Sequence, residues 1–143
     1  MYTKIQVVFD AADPAKLAEF WGLALGYVGE PPPPGFATWA DFGRSIGLSE
    51  AEFGDQASRI DPAGEGPRLY FQKVPEGKTA KNRVHLDVRV AGRDVRGAER
   101  DRLVADRVAV LEAAGATIAW RNADRRGNSV VMRDPEGNEF CVA

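Results

Sequence analysis

The sequence predicts an α+β fold of two β-α-β-β-β modules whose strands form a curled mixed sheet around a cavity. Three observations carry that expectation. Amphipathic helix patterns stand in corresponding places of the two halves, each preceded by a run alternating with the two-residue period of a strand and followed by short strand candidates. The alternating runs have one apolar and one polar face, so each module can bury one face under its own helix and leave the other to line a shared cavity. The length of 143 residues with 44% hydrophobic content suits one sizeable core and a single domain, residues 1–143, with module one at 1–75 and module two at 82–143.

In the first module, Ile5, Val7 and Phe9 alternate with Gln6, Val8 and Asp10, the pattern of a half-buried strand. Asp13 followed by Pro14 then signals a helix start, because aspartate caps free N–H groups and proline costs nothing at the first helical position. Leu17, Phe20, Trp21, Ala24 and Leu25 form one apolar stripe, and Gly26 stands where a left-handed cap ends the helix. The Pro31 to Pro34 run reads as a stiff spacer. Phe36 to Phe42 and Ser45 to Leu48 are short strand candidates, Glu50 to Gly66 a long polar loop, and Arg68 to Val74 a strand.

The second module repeats the order. Val84, Leu86, Val88 and Val90 alternate with Arg83, His85, Asp87 and Arg89, giving a strand with one strongly polar face. A helix over Glu99 to Ala114 carries Val104, Val108 and Leu111 as its stripe and ends at Gly115. Strands follow at Thr117 to Arg121, Ser129 to Arg133 and Asn138 to Val142, with Gly127 and Asn128 as a hairpin turn.

Charge and cysteine usage exclude several function classes. With 19 basic against 21 acidic residues and no basic block longer than Arg125-Arg126, no nucleic-acid footprint is expected. The single cysteine, Cys141, excludes an internal disulfide and a cysteine-pair zinc site, which suggests a reducing compartment. The N-terminus has no long apolar segment and no run reaches membrane-spanning length, so a cytoplasmic protein without membrane contact is expected.

His85 is read either as a histidine hydrogen-bonded to Asp87 or Glu139 or, because it sits on the polar face, as a group that touches ligand or moves a proton. Arg83, Asp87 and Glu139 read either as a self-neutralising charge network or as a recognition set for an oxygen-rich ligand, with Arg83 as anion anchor and Glu139 as general base. Cys141 reads first as a small buried hydrophobe. Trp21 belongs to the helix core, whereas Trp39 and Trp120 fall on strand candidates, where an aromatic can stack on a planar ligand or pack a dimer seam.

The two modules, the turn Asp134-Pro135-Glu136-Gly137-Asn138 before the last strand, the helix end Leu25-Gly26-Tyr27 and the run Asn82 to Asp87 together resemble the vicinal oxygen chelate superfamily, and more narrowly its glyoxalase-like domain proteins. That superfamily includes glyoxalase I, extradiol dioxygenases, and fosfomycin- and bleomycin-resistance proteins. The resemblance covers essentially the whole chain and implies a homodimer that binds a small molecule. It also implies four positions for metal ligands, which fall on Gln6, Tyr70, His85 and Cys141. That set lacks a carboxylate and compensates a divalent charge poorly, with Glu139 two residues early on the same strand face. The expected function is therefore binding of a small aromatic or oxygenated organic molecule without metal or other cofactor, by sequestration or metal-free acid/base chemistry. His85 and Glu139 are the catalytic candidates, and Gln6, Arg83, Trp39, Tyr70 and Cys141 the ligand-binding ones. The alternative is a metal-dependent lyase, isomerase or dioxygenase, in which a cation polarises substrate oxygens.

Overall fold

The computed structural model describes residues 3–124 and 127–143. The chain divides into two compact units, Met1–Gly77 and Lys78–Ala143. The first contains β1 (Gln6–Ala11), α1 (Pro14–Leu25), β2 (Val28–Gly29), α2 (Trp39–Ser45), β3 (Gln56–Ile60) and β4 (Arg68–Lys73), with a short 3-10 turn at Glu50–Glu52. The second contains β5 (Asp87–Val88), α3 (Gly97–Ala113), β6 (Thr117–Asp124), β7 (Gly127–Arg133) and β8 (Glu139–Val142).

The curled mixed sheet around a cavity is not formed. The strands pair instead into two separate four-stranded sheets, ordered β1-β4-β3-β2 and β5-β8-β7-β6, neither of them closed. Each mixes one parallel pairing, β1 with β4 or β5 with β8, with antiparallel neighbours. Edge strands β2 and β5 have only two residues each, too few backbone groups to carry a ladder onward. Past Glu30, which follows β2, the chain meets the four prolines, which have no N–H to donate.

The α1 prediction holds in detail. Asp13 caps the helix, its carboxylate accepting the Lys16 backbone N–H at 3.2 Å, and Gly26 ends it at φ 72°. Leu17, Phe20 and Trp21 are buried together with Leu69 and Phe71 of β4. Phe9 bridges helix and sheet, its ring 5.0 Å from both Trp21 and Phe71. Side chains of this kind contribute roughly 1.5–3 kcal/mol each when fully buried. In the second unit, Val104, Val108 and Leu111 of α3 supply the buried stripe, and Val130, Met132, Phe140 and Val142 are the buried sheet residues.

Four local expectations are corrected. The strand candidates Phe36 to Phe42 and Ser45 to Leu48 give way to α2: Thr38 and Asp41 close a reciprocal capping box, which satisfies the first free N–H groups of a helix. The long polar loop Glu50 to Gly66 contains β3, which ends in an Asp61 turn whose carboxylate accepts the N–H groups of Ala63, Glu65 and Gly66. The run Asn82 to Val90 forms a ladder only at Asp87–Val88, flanked by the Cys141 N–H donating to the Leu86 carbonyl and the Val90 N–H donating to the Ala143 carbonyl, while the Asn82 N–H is taken by the Glu139 side chain. Gly127 and Asn128 belong to β7, paired with Asp124 and Ala123, and the connection through Arg125 and Arg126 lies outside the described residues. Among the described residues no helix is long and apolar enough to cross a membrane.

Candidate functional site

In the first unit, the register puts Gln6, Val8 and Asp10 of β1 beside Arg68, Tyr70 and Gln72 of β4, and Ser58 and Gln56 of β3 beside Tyr70 and Gln72. Successive side chains alternate between faces, so these residues share the face opposite the one carrying Leu69 and Phe71. A cavity of about 410 Å³ is lined by Ser58, Arg68 and Tyr70 from this face and by Trp39, Phe42 and Phe53 from α2 and the segment after it. That size, and the four aromatic side chains among its walls, suit a small organic molecule.

Three contacts fix the walls. Trp39 Nε1–H donates to the Glu30 carbonyl at 2.7 Å, tying the start of α2 to the end of β2. Phe42 stands edge-on to Phe36 and Trp39, at ring separations of 5.3 and 5.9 Å. Phe53 packs under Gly43, where an added Cβ would stand 2.8 Å from the ring. Glycine is therefore required at Gly43 for the close approach, although helices disfavour it.

The polar end is built around Arg68. Its Nε and Nη2 donate to Glu30 Oε2 at 2.8 and 2.5 Å, its Nη1 donates to Gln6 Oε1 at 2.7 Å, and its guanidinium lies 5.2 Å from the centre of the Tyr70 ring. Burial would raise the Glu30 pKa, but the hydrogen bonds from Arg68 and Ser58 outweigh it and hold the carboxyl below its ordinary value. Glu30 and Arg68 are thus a charged, mutually neutralised pair at neutral pH.

The second unit holds the other candidates. Glu139 is buried at 8% exposure, accepting the Asn82 N–H at 3.0 Å and pairing with Lys78 Nζ at 3.0 Å. The Asn82 hydrogen bond, with lesser help from Lys78 against the cost of burial, lowers its pKa to about 2. A carboxylate so stabilised is a weak proton acceptor, since efficient bases have pKa values near the working pH. Glu139 is built as a brace that fastens the 78–82 segment to β8.

Cys141 lies opposite Asp87, and His85 Nδ1 is 3.4 Å from Asp87 Oδ1, both side chains about half exposed. Burial pushes the Cys141 thiol up, and the Asp87 carboxylate adds to this, against the Ser129 hydrogen bond. A thiol so shifted is a poor nucleophile and a poor thiolate ligand. Arg83 is exposed.

The sequence-derived candidates therefore divide between the units. Trp39 and Tyr70 meet in the first-unit cavity, Trp39 from a helix rather than a strand, and Gln6 reaches its rim through Arg68. His85, Arg83, Cys141 and Glu139 belong to the second unit. Sequence reasoning missed Glu30, Arg68, Ser58, Phe42 and Phe53. The Thr38 to Asp41 spacing was a signal for α2, but nothing local announces that Glu30 meets Arg68 across 38 residues.

Within the first unit, the Gln6 and Tyr70 positions are ill suited to a divalent cation. Around Gln6 and Tyr70 the Arg68 guanidinium already occupies the Gln6 oxygen and faces the Tyr70 ring, and its positive charge repels a metal. Among the described residues no three His, Cys, Asp or Glu side chains converge to hold a metal ion.

A family model described as a glyoxalase-like domain matches residues 6–143. No curated protein matches the chain. Solved structures with a similar fold include a glyoxalase/bleomycin resistance protein/dioxygenase family enzyme from Burkholderia phytofirmans PsJN, with TM-score 0.61 and 18% identity over 96% of this chain and 94% of that one. Another is a possible glyoxalase from Bacillus cereus, with TM-score 0.60 and 14% identity over 99% of this chain and 98% of that one. A mutant of the fosfomycin resistance protein FosX from Listeria monocytogenes, solved with Mn(II) and 1S,2S-dihydroxypropylphosphonic acid, gives TM-score 0.63 and 10% identity over 99% and 90% of the respective chains. At these identities the likeness is one of fold.

Proposed function

The chain belongs to the glyoxalase-like domain family of the vicinal oxygen chelate superfamily, and from that premise we propose that it binds a small aromatic or oxygenated organic molecule, without a metal, in the first-unit cavity beneath α2. The observation that carries this reading is the cavity itself, about 410 Å³ walled by Trp39, Phe42, Phe53 and Tyr70 around one polar end. Aromatic walls offer stacking and edge-on contacts to a planar ligand, and the polar end fixes its orientation. Tyr70 and Trp39 are the principal ligand contacts. Glu139, tied to Lys78 and Asn82, is assigned to stability rather than to proton transfer. The homodimer expected from the sequence belongs to the same proposal, and sedimentation equilibrium tests it.

The binding test is a screen of small aromatics by two-dimensional amide and indole NMR. Binders are expected to shift the Trp39 indole N–H, assigned by its loss in Trp39→Ala, together with the Ser58 and Tyr70 amides. Ligands that bind without moving these resonances would refute the assignment of the site.

A further inference from the structure

The cavity's polar end sets the charge of what it takes. Arg68 spends its Nε–H and one Nη2–H on Glu30 and one Nη1–H on Gln6. A guanidinium carries five N–H donors, so one on each terminal nitrogen remains for a ligand, while the charge itself is already compensated. Two other charged residues line the cavity, Arg59 and Glu52. Arg59 is turned toward α1: its Nη1 donates to the Ser58 carbonyl, and its Nε lies 3.0 Å from where a Cβ on Gly22 would stand. Glu52 adds a negative charge, its carboxylate accepting from the Ser49 N–H and hydroxyl. An anion entering here would face Glu52 and compete with Glu30 for a guanidinium held 2.5 Å from its partner.

Two of the four aromatic walls already face a cation. Arg68 already faces the Tyr70 ring, and Arg44 lies 5.7 Å from the centre of the Phe53 ring. The Tyr70 hydroxyl has no hydrogen-bond partner among the described residues and lines the cavity. It can donate to, or accept from, a ligand oxygen beside the remaining Arg68 N–H groups.

We propose that the cavity selects uncharged planar aromatics carrying a carbonyl or hydroxyl group, and that Glu30 is the specificity-determining residue that excludes aromatic carboxylates by neutralising Arg68. This inference rests on the cavity being the binding site.

Benzamide and benzoate, alike in shape and different in charge, separate the alternatives when titrated at neutral pH against the Trp39 indole resonance. The wild-type protein is expected to bind benzamide at least about tenfold more tightly than benzoate. Glu30→Gln keeps the backbone carbonyl that holds Trp39 and removes the charge that compensates the guanidinium, so the ratio of benzoate to benzamide affinity should rise about tenfold or more. Glu52→Gln removes the same formal charge without freeing Arg68 and should gain less. Wild-type binding of benzoate as tight as that of benzamide overturns the inference and leaves the binding site standing, and this comparison depends on no variant folding. Equal gains in Glu30→Gln and Glu52→Gln also overturn it. If neither probe shifts any cavity resonance, the binding reading falls as well.

Discussion

Replacing Glu139 with glutamine separates a brace from a base. The carboxylate is buried, receives the Asn82 N–H and pairs with Lys78, and its pKa falls from 4.5 to about 2. Taken as linkage, that difference corresponds to about 3 kcal/mol at neutral pH. Lys78 is 22% exposed and Arg133, 4.0 Å away, is 47% exposed, so solvent screens part of the interaction and about 2 kcal/mol is the expected contribution. Glutamine has the same shape and can still accept the Asn82 N–H, so Glu139→Gln should lose about 1–2 kcal/mol at pH 7. The sign follows from the lowered pKa. The stabilisation is complete above pH 4.5 and disappears as pH falls toward 2, where the native carboxylate is itself protonated. Urea unfolding of both proteins from pH 7 down to pH 2, followed by circular dichroism, should show a gap that closes over that window. Equal stability at pH 7, or a gap unchanged at pH 2, would refute the reasoning.

Other perturbations address the cavity and the core. Trp39→Ala removes a wall and the hydrogen bond to the Glu30 carbonyl, and calorimetric titration should show ligand affinity falling about tenfold or more; because Trp39 is 42% exposed, the stability loss should stay near 1 kcal/mol. Gly43→Ala improves helix propensity by about 1 kcal/mol but drives a methyl against Phe53, so the melting temperature should hold while affinity drops; unchanged affinity would mean that the ring moves away from the ligand site. Phe71→Ala empties the centre of the first core, where the ring is fully buried and stacked on Phe9, and should cost roughly 3–5 kcal/mol in denaturant unfolding.

Elements governed by local chemistry were legible in the chain. Asp13-Pro14 and Gly26 bracket α1, the spacing of Val104, Val108 and Leu111 marks α3, and Asp134, accepting the N–H groups of Glu136 and Asn138, shapes the turn before β8. Each depends on contacts within a few residues, so sequence spacing alone contains the geometry. The misread stretch failed for a related reason. Phe36, Trp39 and Phe42 are aromatic residues common in strands, and their weak propensity yields to the Thr38–Asp41 capping box and to the edge-on packing of Phe36 and Trp39 against the Phe42 ring.

The sequence by itself determined the family and the two helix-and-strand modules. The tertiary structure decided that the strands pair into two separate open sheets and that the Glu139 carboxylate is buried against Lys78 and the Asn82 N–H. It also decided that the pocket is walled by α2 around a Glu30–Arg68 pair. The physical reason is range: caps and amphipathic stripes are written within one or two turns of chain. A pairing across 38 residues, or a carboxylate captured by a lysine from a distant loop, exists only once the backbone has brought the partners together.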